Sequence, residues 1–175
     1  GNGLESGHVR IYNYNGSSWV QLGNDMDGKT SGDRFGYSVS LSSDGTILAV
    51  GAPYNDGNGA NAGHVRIYSY NGTSWTQLGL DIDGEAGSDY SGHSVSLSSD
   101  GTTVAIGANQ NDGNLADSGH VRIYNYNGNV WTQLGLDIDG EATNDYSGHS
   151  VSISSDGTIV AIGAINNRGN AYKSG

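Results

Sequence analysis

Hydrophobic and polar residues alternate in short runs along the whole chain. In residues 37–43, Val39 and Leu41 alternate with serines, and in residues 64–70, Val65 and Ile67 alternate with larger polar or aromatic side chains. A period of two residues predicts β-strands with unlike faces. We find no helical periodicity of useful length, so the pattern predicts an all-β fold.

Turn residues divide these runs. Asp44-Gly45 predicts a tight hairpin between residues 37–43 and 46–52, and Asn71-Gly72 predicts another between residues 64–70 and a fourth strand around Trp75. Four antiparallel strands joined in this order form a meander, which is the unit of one β-propeller blade.

The predicted unit recurs along the chain. The segment Gly-His-Val-Arg-Ile-Tyr begins at Gly7, Gly63 and Gly119, a constant step of 56 residues, and Gly175 falls on the next step. Strands repeated at a fixed period favour radial repetition, as in a propeller, over a β-sandwich.

The predicted blades do not divide the given sequence into whole units. We predict a half-blade of strands three and four in residues 1–30, complete blades in 31–86 and 87–142, and a half-blade of strands one and two with a tail in 143–175. Propellers usually have about four to eight blades. Because unpaired strand edges associate, we expect the half-blades to pair with further copies, in a two-chain ring or in a longer array or filament.

The charge, the composition and the absence of catalytic motifs disfavour several classes of function. The formal net charge is −11, which disfavours nucleic acid and anionic membranes as partners. The sequence holds no cysteine and no apolar run long enough to insert into a bilayer. Neither a nucleophile elbow nor a phosphate-binding glycine loop is present, so we expect a protein that is not an enzyme.

Two short motifs carry a family resemblance. Phe35-Gly36 precedes the first strand of one repeat, and Gly51-Ala52-Pro53 follows its second strand. These motifs resemble the two signatures of FG-GAP repeats, which occur in integrin α chains and related lectins. The later copies of both motifs are degenerate. The resemblance implies a β-propeller on an extracellular or cell-surface protein that binds protein or sugar.

Acidic residues cluster between the predicted blades. Hard oxygen ligands in a glycine-bearing loop suit Ca²⁺, whereas aspartates that cap loop amides are the other interpretation. The family's calcium loop lies in a different hairpin, which is only Ser-Ser-Asp-Gly here. The candidate metal ligands are Asp81, Asp83, Glu85, Asp89, Asp137, Asp139, Glu141 and Asp145.

Other polar and aromatic residues recur once per repeat. We expect His64 and its copies to pack between blades, and Arg66 and its copies to stack on tyrosines or to pair with loop aspartates. Tryptophans and tyrosines form either blade-edge packing or a carbohydrate platform. Asn15 and Asn71 begin glycosylation sequons, although Asn-Gly is also what a type I′ turn requires.

These observations predict an extracellular structural or adhesive repeat module that assembles through its half-blades. A lectin-like propeller that binds a glycan ligand is the alternative, and sugar binding at one site per blade would distinguish the two. Calcium is the one cofactor that the sequence suggests.

Overall fold

The computed structural model describes residues 2–168 of the chain, and all of its regular structure there is β. Gly175, which falls on the next repeat step, and most of the predicted tail therefore lie outside the described residues. No helix within residues 2–168 could span a membrane. The strands are β1 His8–Val9, β2 Tyr12–Tyr14, β3 Trp19–Gln21, β4 Met26–Asp27, β5 Ser38–Leu41, β6 Ile47–Ala52, β7 His64–Tyr70, β8 Trp75–Gln77, β9 Ile82–Asp83, β10 Ser91–Leu97, β11 Thr103–Ala108, β12 His120–Tyr126, β13 Trp131–Gln133, β14 Ile138–Asp139, β15 Ser147–Ile153 and β16 Val160–Ala164.

These strands form four layers, which follow one another along the chain. Layer 1 contains β1–β4 as two strand pairs, and layer 4 contains the pair β15–β16. Layer 2 is a sheet in the order β5-β6-β7-β8, with β9 also paired to β7, and layer 3 repeats this arrangement with β10–β14. All strand pairs are antiparallel, as the turn signals predict.

The acidic segment after the fourth strand differs from the prediction. It was expected to be a loop, but Ile82–Asp83 forms β9 and pairs with the beginning of β7, in the register His64↔Asp83 and Val65↔Ile82. The fourth strand is thus interrupted rather than finished after β8. Ile82 is buried in the core, which explains why this piece of chain returns to the sheet.

Consecutive layers bury apolar side chains between them. Strand β6 is apolar on both faces, because Leu48 and Val50 pack toward layer 1 while Ala49 packs toward layer 3. A continuous apolar run is typical of a strand that is covered on both sides. The same two-sided packing recurs in layer 3, where Ile106 faces layer 2 and Ala105 faces layer 4.

Glycines allow adjacent layers to approach closely. A Cβ atom at Gly51 would overlap the carbonyl oxygen of Gly92 in the next layer, and one at Gly107 would overlap that of Gly148. Ser38 Oγ donates to the same Gly92 oxygen at 2.7 Å. Gly51 belongs to the Gly51-Ala52-Pro53 motif, and its role here is to keep the space for this backbone contact.

The tryptophans of the fourth strand also link layers. Trp75 Nε1 donates to Leu22 O of layer 1 at 3.0 Å, and Trp131 Nε1 donates to Leu78 O of layer 2 at 2.9 Å. Both indoles are only partly exposed, whereas Trp19 is 69% exposed. Packing between repeats therefore accounts for Trp75 and Trp131.

We predict that Gly107→Ala destabilises the protein much more than Gly163→Ala. The added methyl at residue 107 meets the backbone of Gly148, whereas at residue 163 its nearest neighbour is the Ser150 hydroxyl, which can rotate away. Overpacking of this kind costs about 1–3 kcal/mol or more. Urea unfolding of both variants measures the difference, and equal losses would contradict a tight contact between layers.

Candidate functional site

Each of the first three layers carries a histidine, an arginine and an aspartate in one cluster. His64 and Arg66 extend from β7, and Asp81 lies between β8 and β9. Because β8 and β9 both pair with β7, the chain returns Asp81 to the side of Arg66. The corresponding clusters are His8, Arg10 and Asp25 in layer 1, and His120, Arg122 and Asp137 in layer 3.

The arginine and the aspartate form an ion pair in each cluster. Arg66 donates from Nε and Nη2 to Asp81 Oδ2 at 2.9 and 2.8 Å, and Gln77 Nε2 donates to Asp81 Oδ1 at 2.7 Å. Burial alone would raise the pKa of Asp81, but these hydrogen bonds outweigh it and hold the pKa at about 2. The predicted pairing of the repeated arginines with aspartates is confirmed.

The cluster of layer 3 contains an additional acid. Glu85, which follows β9, contacts Arg122 Nη2, and its Oε2 atom lies 4.0 Å from His120 Nδ1. Asp137 lies on the same imidazole at 3.6 Å. The residue at the position of Glu85 in the preceding repeat is Lys29, and in the following repeat it is Glu141. One position therefore changes charge while the rest of the cluster is kept.

Burial keeps the histidines of layers 2 and 3 neutral. His64 is 1% exposed, and its Nε2 atom has no hydrogen-bond partner among residues 2–168. Desolvation, with a smaller contribution from the positive charge of Arg66, lowers the pKa of His64 to about 4. Burial also lowers the pKa of His120. His8, at the equivalent position of layer 1, is exposed.

The structure brings some of the predicted metal ligands together. Asp81 and Asp83 lie near His64, and Glu85 and Asp137 lie near His120, within 4.8 Å of one another in each group. However, Arg66 and Arg122 already bind carboxylates in these groups. A guanidinium at this place supplies the positive charge that a calcium ion would bring, so these two groups fit an ion-pair network better than calcium.

The remaining predicted ligands lie elsewhere. Asp89 is 3% exposed and accepts hydrogen bonds from Ala86 N and Asn111 Nδ2 at 3.0 and 2.9 Å. Asp145 is also buried and accepts from Ala142 N. Asp139 and Glu141 are exposed. Asp89 and Asp145 hold loop backbone in place, as the Asx-turn interpretation of the acidic segments proposes.

The two sequon asparagines shape their hairpins. Asn15 Oδ1 accepts from Ser17 N and Ser18 N, and Asn71 Oδ1 accepts from the corresponding amides. Asn127, which begins no sequon, makes the same bonds. Turn formation therefore explains all three asparagines, and glycosylation of Asn15 and Asn71 stays a prediction.

A row of rings links neighbouring layers. Tyr37, His93 and His149 occupy one repeat position, and their rings make tilted contacts across layers 2, 3 and 4 at centroid separations of 5.1 and 4.8 Å. The Glu85 contact was not predicted, and comparison of equivalent positions across repeats is the signal that could have revealed it. Residues 56 apart become neighbours when layers stack.

We predict that stability falls between pH 7 and pH 5 because of His64. The unfolded chain takes up a proton near pH 6.5, whereas the folded chain does so only near pH 4. The stabilisation is therefore present above pH 6.5 and is lost as the pH falls toward 4, by about 2 kcal/mol at pH 5. Urea unfolding at both pH values should show this loss.

The matched pair of variants is His64→Gln and His8→Gln. The first should shrink the difference in unfolding free energy between pH 7 and pH 5, whatever its effect on stability at a single pH. The second, at the exposed equivalent position, should leave the difference intact. An unchanged pH dependence in His64→Gln would contradict this assignment.

Comparison with known proteins agrees with the motifs and the repeated sheets. Residues 26–68, which span β4 to the middle of β7, match the family model described as FG-GAP repeat. No curated protein matches the chain significantly. The matched segment contains both motifs, Phe35-Gly36 and Gly51-Ala52-Pro53, and its pattern recurs at the 56-residue period. Residues 26–68 therefore carry an FG-GAP repeat.

Proposed function

We propose that the chain is an extracellular, non-catalytic adhesion-type module that associates with further copies through its two open faces. The FG-GAP repeat in residues 26–68 suggests an adhesion-type module. In this proposal, layers 2 and 3 are propeller blades, and layers 1 and 4 are halves of one blade that two copies complete. The observation that carries the proposal is the presence of two unlike and complementary apolar faces on one molecule.

The first open face belongs to layer 2 and contains Val39 and Leu41 of β5. Their side chains are 53% and 46% exposed, whereas the equivalent Val95 and Leu97 of layer 3 are 9% and 7% exposed. Val95 and Leu97 are covered because β10 packs against β5 and β6 of layer 2. In layer 1 the described strands correspond to the third and fourth strands of a repeat, so Val39 and Leu41 lack this cover.

The second open face belongs to layer 4 and contains Ile159 and Ala161. Their equivalents in layer 2, Ile47 and Ala49, pack against layer 3. Ile159 is 69% exposed, and Ala161 is exposed as well. The face of layer 4 thus offers the kind of side chains that cover Val95 and Leu97 inside the molecule, and it can cover Val39 and Leu41 of a second copy.

Strand edges support the same arrangement. Within residues 2–168, β16 pairs only with β15, and β2 pairs only with β3. In layer 2 the corresponding strands β6 and β7 pair with each other along their whole length. Pairing of β16 with β1 and β2 of a second copy would complete a four-stranded sheet and would remove both open edges. Such a heterologous contact either closes into a ring or continues as a filament.

A carbohydrate-binding role is the alternative that the sequence leaves open. Trp75 and Trp131 are engaged between layers, which favours packing over sugar binding for these two side chains. No contact of the described residues favours the lectin function over association.

We predict that the purified chain associates and that Leu41→Asp reduces the association. The native mass is measured by light scattering over a range of concentrations. A discrete dimer would indicate a closed two-chain ring, and a broad distribution of larger species would indicate end-to-end growth. Leu41→Asp places a charge on the open face of layer 2, so the variant should be mainly monomeric.

The control for this experiment is Leu136→Asp. Leu136 is 89% exposed, and its equivalent Leu80 is 80% exposed even though layer 3 packs against layer 2, so the same substitution there should leave the native mass unchanged. A wild-type chain that is monomeric at all concentrations would overturn the proposal. Equal effects of the two substitutions would show that association does not use the open face of layer 2.

Whether the acidic segments bind calcium can be tested by unfolding, and the ion pairs of the clusters decide the result that we expect. Because Arg66 and Arg122 already neutralise nearby carboxylates, we expect the unfolding midpoint to be the same with calcium at about 1 mM, the weak end for extracellular modules, as with a chelator. A higher midpoint with calcium would instead support a site, and Asp83→Asn and Asp139→Asn would then locate it.

A further inference from the structure

We propose that Glu141 of one copy binds Arg10 and His8 of a second copy, and that this contact fixes how the open faces join. The inference rests on the association proposed above and names a polar contact within it. The molecule already makes one contact of this kind, between Glu85 and the His120-Arg122 cluster.

The internal contact is the template. Glu85 contacts Arg122, and it lies 4.0 Å from His120 Nδ1. Arg122 also pairs with Asp137, so that one guanidinium binds two acids. The side chain of Arg122 is 11% exposed. At this burial, an acid that reaches the guanidinium is poorly screened by solvent.

The cluster of layer 1 has the same base and the same first acid, but within residues 2–168 no second acid is paired with its arginine. Arg10 pairs with Asp25 at 2.8 Å, and its side chain is 46% exposed. His8 and Arg10 line a cleft of about 340 Å³, which is also bordered by Gly3, Glu5, Ser6, Gly7, Asp25 and Asp27. Within residues 2–168, β1 pairs only with β4 and β2 only with β3, so the edge beside the cleft, where the second strand of a complete repeat would pair, is free for another copy.

Strand register brings Glu141 to this cleft. In layer 2, Val50 lies opposite Arg66 and Gly51 lies opposite Val65. Transferred by whole repeats, the same register places Ile162 of one copy opposite Arg10 of the next copy. Glu141 precedes β15 as Glu85 precedes β10. It would therefore meet Arg10 and His8 as Glu85 meets Arg122 and His120.

The repeat position of Glu85 carries different charges in the three repeats, and the difference favours a second copy as the partner of the layer 1 cluster. Lys29 faces the cluster of layer 2, where its positive charge helps to lower the pKa of His64. Glu85 is engaged within the molecule. Glu141 is exposed and carries the sign that Arg10 requires. A second copy of this chain therefore supplies the acid that completes the layer 1 cluster.

The experiment uses two charge-reversed chains, Glu141→Arg and Arg10→Glu. Each alone should associate roughly 100-fold more weakly than the wild type, because like charges would then meet in the contact. An equimolar mixture should recover association, since the introduced arginine of one chain meets the introduced glutamate of the other and the unchanged ends also match. Analytical ultracentrifugation measures the three samples and the wild type.

The outcomes separate this inference from the proposed association. A monomeric wild type overturns the association and this contact with it. If the wild type associates and both variants associate equally well, the contact is wrong while the association stands. A mixture that fails to recover also overturns the pairing. Circular dichroism shows whether each variant folds. Glu141→Gln or Arg10→Gln replaces a charge-reversed variant that does not fold. Each of these neutral substitutions should weaken association about tenfold.

Discussion

The structure depends on a backbone contact between layers, in which Gly51 faces Gly92 and Gly107 faces Gly148. Only glycine leaves room for this approach, and Ser38 Oγ and Ser94 Oγ bond the carbonyl oxygens that take part. Because the contact joins the second strand of one layer to the first strand of the next, it fixes the offset between neighbouring sheets. The indole bonds of Trp75 and Trp131 and the apolar cores between layers follow from this offset. A 56-residue period in the sequence thus becomes a fixed stacking of sheets.

Local patterns predicted the strands well, because each strand is specified by its own alternation and turns. The prediction for residues 64–70 coincides with β7, and the Asn71-Gly72 turn leads into β8. The short strand β9 was missed, since two residues carry no periodicity. Its formation depends on a distant condition, namely that Gly84 lies against the backbone of Ala62. The blade boundaries at residues 30, 86 and 142 and the closed ring stay predictions.

The sequence predicted which type of interaction the candidate site contains, but not how its residues are arranged. Repeated arginines and aspartates indicated ion pairs, and these exist. The sequence could not show that Asp89 is buried while Glu85, four residues earlier, contacts Arg122. Nor does sequence identity determine the electrostatic environment. Arg10 and Arg66 occupy the same repeat position, yet their side chains are 46% and 5% exposed, because β6 flanks β7 whereas β2 has a free edge within residues 2–168.

A polar contact suits a joint between strand edges for a physical reason. Backbone pairing and apolar packing between β16 and β2 would tolerate a slip of two residues, since the side chains would keep their faces. Such a slip would move Arg10 by nearly 7 Å along the strand, too far for Glu141 to keep its hydrogen bonds. An ion pair in a cleft therefore penalises the wrong register in addition to what it contributes to affinity. Buried polar groups are best attested in this registry role.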